Sequence, residues 1–114
     1  MIHYVLPFPP TDNHYYTVDR GRKVLSARGR SYRKTVWALL REQGERTLMG
    51  AVEMTVWLTM PDKRRRDLSN VMKALGDALQ YGGAYRDDVQ IDRLLIERNT
   101  VQPPGRADVW LREL

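Results

Sequence analysis

Residues 61–79 read PDKRRRDLSNVMKALGDAL. A proline opens the stretch, four consecutive bases from Lys63 to Arg66 follow Asp62, and apolar residues then recur at helical spacing from Asp67 onward. At 100° per residue, Leu68, Val71, Met72, Leu75, Ala78 and Leu79 fall in one stripe between roughly 20° and 140°, while Asn70, Lys73 and Asp77 fall away from it. The spacing predicts a helix over 67–81, ended by Tyr81-Gly82-Gly83. One of its faces belongs to a core, and the other is left for chemistry or solvent.

Upstream, AVEMTVWLTM over 51–60 alternates as a strand does, with Val52, Met54, Val56 and Leu58 on one face and Pro61 closing it. A second helix is expected from an N-cap at Ser26 to about Thr47. Tyr32, Val36, Leu39 and Leu40 keep its register, its opposite face is basic, and Gly29 is a blemish in it. Ile2–Leu6 reads as a short strand stopped by Pro7, Pro9 and Pro10, followed by a polar loop to about residue 26. Downstream, 89–97 reads as a strand whose two faces the pattern leaves unassigned. Pro103-Pro104-Gly105 makes a turn, and Ala107–Leu111 is expected as the antiparallel hairpin partner. The sum is an α+β fold: one small domain over 1–114, a mixed β-sheet and two main helices in the order β-α-β-α-β-β.

The length of 114 residues fits a single domain. With 42% hydrophobic and 29% charged residues the composition is that of a folded globular chain. A net charge of +5 points to an anionic partner, nucleic acid or an anionic membrane surface. No apolar stretch approaches the roughly 18 residues of a spanning helix. The opening MIHYVLPFPP lacks the basic and long apolar regions of a secretory signal, so the expected setting is the cytoplasm with no membrane partner. The absence of cysteine excludes disulfides, Cys-ligated zinc and a thiol nucleophile. Charge is also uneven: residues 20–46 hold nine Lys and Arg against Glu42 and Glu45.

The 61–79 stretch, followed after a glycine turn by Asp87-Asp88-Val89-Gln90, carries the chemistry. Phosphodiester cleavage needs hard oxygen ligands for Mg²⁺, cations to hold phosphate and a charge near the developing alkoxide. Asp67 suits either an N-cap or a metal ligand kept ionised by the helix dipole and by Arg64, Arg65 and Arg66. Lys73 lies about 9 Å along the helix from Asp67, near enough to approach the same site, whereas Asp77, about 15 Å away, reads as structural. Of the adjacent Asp87 and Asp88, one at most should face a given metal. Three crowded arginines fit phosphate binding better than a solvated run. His3 and His14 have no ligand spacing and read as structural or incidental. Tyr15 and Tyr16, near Arg20 and Arg22, offer a weak signal for stacking on unpaired bases. No phosphate-cradling glycine loop and no Ser-His-Asp set is visible.

These segments resemble the RusA family of Holliday-junction resolvases: LPFPPTDNHYY, SARGRSYRKTV, MPDKRRRDLSNVMKALGDAL and YRDDVQID, together most of the chain. The resemblance implies a homodimer that binds four-way junction DNA and nicks two strands symmetrically with Mg²⁺, or Mn²⁺ in its place, in DNA recombination and repair. No small-molecule cofactor is implied. By position, Asp67 and Asp88 are the metal-binding catalytic carboxylates and Lys73 the catalytic cation, with Arg66 and Asn70 on DNA beside Arg64 and Arg65. Arg20, Arg22 and Lys23 are further candidate DNA contacts. The family pattern reads Asp-Leu-Asp-Asn where this chain has Asp67-Leu68-Ser69-Asn70, so one carboxylate is replaced by a neutral hydroxyl, a poorer Mg²⁺ ligand. Ser69 through water, and Asp87, are then the further candidate ligands. The alternative is a branched-DNA-binding protein of the same fold with weakened or absent catalysis; a nuclease acting on RNA or flaps is a third reading.

Overall fold

The computed structural model describes residues 1–44 and 46–114. Strand β1 (Ile2–Pro7) leads through prolines to a one-turn helix α1 (Asp12–Tyr15) and a hairpin of β2 (Tyr16–Asp19) and β3 (Arg22–Leu25). Helix α2 (Ala27–Glu42), strand β4 (Val52–Met60), helix α3 (Met72–Tyr81), β5 (Ile91–Val101) and β6 (Arg106–Glu113) follow. The main sheet runs β1-β6-β4-β5, with β4 parallel to β5 and antiparallel to β6, and β6 antiparallel to β1. It is a mixed α+β domain with two main helices, as the pattern predicts.

Alternation in β4 sets the layers. Val52, Met54, Val56, Leu58 and Met60 are buried against α2 (Val36, Leu40) and α3 (Ala74, Leu75, Ala78, Leu79), while Glu53, Thr55 and Trp57 face the other way. On that second face His3 stacks on Trp110 at 4.4 Å and bonds the buried Asp108 at 2.9 Å, so this histidine is structural. No helix among the described residues is long and apolar enough to cross a membrane.

Four expectations are corrected. First, β5 and β6 are not a hairpin pair. Because β5 runs parallel to β4 both reach the same edge, and the 102–105 turn passes over the end of β4 so that β6 descends on its far side. The Gln102 amide donates to the Met60 carbonyl at 2.9 Å. At Gly105 (φ 84°) a Cβ would sit 2.9 Å from both Pro61 N and Thr59 O, so the crossing is too close for a side chain. Second, the polar loop before residue 26 contains α1 and the β2–β3 hairpin. Third, α3 begins at Met72, preceded by a tight 3-10 turn over Leu68–Val71. Fourth, α2 ends at Glu42, short of Thr47; the predicted extension includes Glu45, which lies outside the described residues.

Gly29 is no blemish. Ser26 caps α2, its Oγ accepting the Gly29 amide at 2.9 Å, and the Ser26 amide donates to the Tyr15 carbonyl at 2.9 Å. That docking brings the same carbonyl to within 2.3 Å of where a Gly29 Cβ would be. Glycine to alanine inside a helix normally stabilises by about 1 kcal/mol. Gly29→Ala is expected to do the opposite, lowering stability by about 2 kcal/mol in urea unfolding, the usual size of an overpacking penalty.

Candidate active site and nucleic-acid interface

The basic run forms one wall of a cleft of about 600 Å³ that also includes Asp62, Asp67, Asn70 and Arg98. Its shape depends on Asp62, whose carboxylate takes the Arg66 guanidinium (Nη1 to Oδ1, and Nη2 to Oδ2 at 3.0 Å) and the Arg64 amide at 2.9 Å. The bonds from Arg66 and then from the Arg64 amide hold the Asp62 carboxyl well below the usual range, so it stays ionised. Arg66 is therefore partly neutralised and lies over the Phe8 ring, while its carbonyl accepts a 2.7 Å bond from Arg98. Arg64 and Arg65 remain exposed toward the cleft.

Asp67 sits at the N-cap position of the 3-10 turn, yet its side chain makes no cap hydrogen bond. The two roles open to it in the sequence are thereby separated: the exposed carboxylate is not consumed by capping. Ser69 is exposed in the same turn, and its carbonyl accepts the Met72 amide. The first turn of α3 is capped instead from far away, by Asp12 Oδ1 at 3.3 Å from the Ala74 amide.

Lys73 and Asp88 line a second cleft, of about 440 Å³, together with Tyr16, Asp77 and Leu94. Asp88 is carried on a 3-10 turn (Asp88–Gln90) that is tied down on several sides. Its amide donates to Gln80 Oε1 at 3.0 Å. Asp87 caps the turn by accepting the Val89 amide at 3.0 Å, and Gln90 returns the bond to the Asp87 amide at 3.0 Å. Gln90 also donates to the Leu48 and Gly50 carbonyls at 3.0 and 2.8 Å, anchoring the turn to the entry of β4. Of the adjacent carboxylates, then, Asp87 is spent on the backbone while Asp88 faces the cleft.

Asp77 has the structural role its spacing suggests. Arg33 grips it through Nε (2.8 Å) and Nη2 (3.1 Å), and the Tyr15 hydroxyl donates to its Oδ2. Burial first, and the Asp77 carboxylate second, push the Tyr15 hydroxyl far above its ordinary pKa. Fully buried, Tyr15 is unavailable for stacking on bases. Tyr16 is partly exposed at the Lys73–Asp88 cleft, with Lys23 Nζ 4.3 Å from its ring centroid. Arg22 and Lys23 are exposed on β3, and Arg20 stands at the hairpin tip with φ 52°.

The structure thus gathers Asp67 with Arg64, Arg65, Arg66 and Asn70 in one cleft and Lys73 with Asp88 in the next, both flanking the start of α3. Among the described residues, no three His, Cys, Asp or Glu side chains cluster at metal-binding distance. The sequence reading missed Asp12, Asp62, Gln80 and Gln90, which position the site without belonging to its chemistry. For Gln90 a signal existed, since Asp87-x-x-Gln90 has the spacing of a capping box.

The family description "Endodeoxyribonuclease RusA" matches residues 7–111. Crossover junction endodeoxyribonucleases of Enterobacteria phage 82 and of Escherichia coli K12 are each 36% identical to this chain, over 113 and 110 residues. These alignments cover 98% and 96% of this chain and 94% and 92% of the relatives. The phage HK97 protein of the same description is 34% identical over 112 residues, covering 97% of this chain and 93% of the relative.

Gln90→Ala removes one half of the capping box and both anchors to the β4 entry. A loss of about 1–2 kcal/mol in unfolding free energy is expected, with faster hydrogen exchange at the Asp87 and Val89 amides.

Proposed function

The chain belongs to the RusA family of endodeoxyribonucleases, and on that premise we propose that it is a Mg²⁺-dependent, structure-specific nuclease of the cytoplasm. In this reading it acts as a homodimer that resolves four-way DNA junctions by paired symmetric nicks in recombination and repair. The observation that carries the reading is the exposed, uncapped Asp67 carboxylate at the mouth of an arginine-lined cleft, with Lys73 and Asp88 in the adjoining one.

Hard oxygen donors of the kind a divalent cation takes are present on both sides of the start of α3: Asp67 and Asp88 have exposed carboxylates, each in its own cleft, and Asp67 makes no competing cap bond. Such an ion, bound there, supplies Lewis acidity toward the scissile phosphate and water of lowered pKa. The remaining work belongs to side chains of this chain. Arg64 and Arg65 hold phosphates flanking the scissile one, since guanidinium forks match phosphate oxygens. Arg66, tethered to Asp62, fixes the loop that carries them. Lys73 offsets the negative charge that accumulates on the phosphate and the leaving oxygen. Asn70 and the hairpin bases Arg20, Arg22 and Lys23 extend the contact along the DNA. Ser69 sits two residues from Asp67 and contributes through water, so cleavage is retained at a reduced rate.

The test is cleavage of an end-labelled synthetic four-way junction beside a duplex of the same sequence, in EDTA, Mg²⁺ and Mn²⁺. Metal-dependent nicks confined to the junction are expected. Asp67→Asn, Asp88→Asn and Lys73→Ala should each lower the rate by about 100-fold or more while leaving junction binding nearly intact. Ser69→Asp should accelerate cleavage. If Asp88→Asn cuts as fast as the parent, the site is misassigned. An inert parent that Ser69→Asp awakens would establish the alternative, a junction-binding protein.

A further inference from the structure

The main sheet has two edges, and the chain treats them differently. At β1 the outer backbone is engaged at Val5, where Gln43 Oε1 accepts the amide and Gln43 Nε2 donates to the carbonyl, both at 2.8 Å, and the strand runs out into prolines. At β5, eleven residues long, the outer side has no neighbouring strand among the described residues. Leu94 and Leu95 in its middle are 47% and 50% exposed. A long, apolar, unpaired edge is a template for another strand unless charge or a bulge blunts it.

The charges on β5 select their partner. The strand reads Asp92-Arg93-Leu94-Leu95-Ile96-Glu97-Arg98, a pattern complementary to itself on reversal. We infer that β5 pairs antiparallel with β5 of a second copy of this chain, about a two-fold axis at Leu95. In that register Leu95 faces Leu95, Leu94 faces Ile96, Arg93 faces Glu97 and Asp92 faces Arg98 of the other copy. The symmetry makes every charged pair occur twice. Directly opposite residues project to one side of a sheet, and the pairing respects this. Arg93, Leu95 and Glu97 share the face of Glu53, Thr55 and Trp57, while Leu94, Ile96 and Arg98 share the helix-covered face of Met54, Val56 and Leu58. Moving the centre to Leu94 sets Arg93 against Leu95 and Asp92 against Ile96. Moving it to Ile96 sets Glu97 against Leu95 and Arg98 against Leu94. Both alternatives bring charges onto apolar side chains.

The charges keep the capacity for this: Arg98 gives Nη2 to the Arg66 carbonyl at 2.7 Å, and a guanidinium has further N–H donors. Glu97 and Asp92 have no ion pair among the described residues, and Arg93, bonded to Glu53 at 3.0 Å, still has a side chain 65% exposed. The interface is also continuous with the site, because Leu94 lines the Lys73–Asp88 cleft and Arg98 lines the Asp67 cleft. Both active sites would therefore flank the two-fold axis, as two symmetric cuts require. The inference deepens the homodimer reading above and rests on it.

With no cysteine in the chain, single substitutions report the register. Opposed residues of antiparallel strands have Cα atoms about 4.5–5.5 Å apart, within disulfide reach. Under oxidation, Leu95→Cys should run as a covalent dimer on a non-reducing gel. Leu94→Cys alone should not, but mixed with Ile96→Cys it should. Glu97→Arg should weaken dimerisation roughly tenfold or more by light scattering, and Arg93→Glu combined with Glu97→Arg should recover it. A monomer at all concentrations overturns the inference, as does a dimer that Leu95→Cys fails to link. The nuclease reading fails separately: a linked, junction-binding dimer that never nicks overturns that reading and supports this interface. A cleaving dimer that resists linkage at Leu95 overturns this interface alone.

Discussion

The constraint on which the rest depends is that β4 is hydrogen-bonded on both sides by the two strands that follow it, in opposite senses. A strand parallel to β4 can be reached only by a crossover, and α3 is that crossover. The crossover helix in turn fixes the loops of the candidate site: Lys63–Arg66 lead into it and the Asp88 turn leads out of it. The last strand then has to reach the far side of β4 through four residues, which is why the 102–105 turn grazes Pro61 and Thr59 and why position 105 is glycine. The cleft holding Asp67 includes Met60, Asn99 and Val101, where β4 and β5 end together, so the same topology supplies its floor.

Much of this was legible from residue patterns because the signals were local. The stripe of α3, the alternation of β4 and the Ser26 cap each depend on neighbours within a few residues. What escaped the pattern is non-local. Hairpin order for β5 and β6 follows from a short connection only when nothing lies between the strands, and no local feature reports that β4 does. The β2–β3 hairpin escaped because its turn, Arg20-Gly21, lies between short strands with mostly exposed side chains and little hydrophobic alternation. Gly29 looked unfavourable in a helix because its reason is a carbonyl fourteen residues earlier.

The site shows the same division. Asp67, Lys73 and Asp88 were legible as candidates because their residue types, beside a run of arginines, suit phosphodiester cleavage. Their support was not, since Asp12 caps α3 from sixty-two residues away and Gln90 reaches back forty to Gly50. Electrostatically the arrangement is graded. Asp62 absorbs the charge of Arg66 and lets the loop keep its shape, leaving Arg64 and Arg65 as the outward cations. Asp77 is likewise neutralised by Arg33, whereas Asp67 and Asp88 are exposed carboxylates in the two clefts. Ser69 places a neutral hydroxyl two residues after Asp67, and it sets the question on which the proposed activity turns.

That question is most directly answered on a supercoiled plasmid carrying an extruded cruciform, incubated with the unmodified protein and Mg²⁺. A dimer that makes two symmetric cuts within one binding event converts the plasmid straight to linear DNA, and this is the expected product. A plasmid that remains supercoiled in both Mg²⁺ and Mn²⁺, while the cruciform is demonstrably bound, would contradict the account.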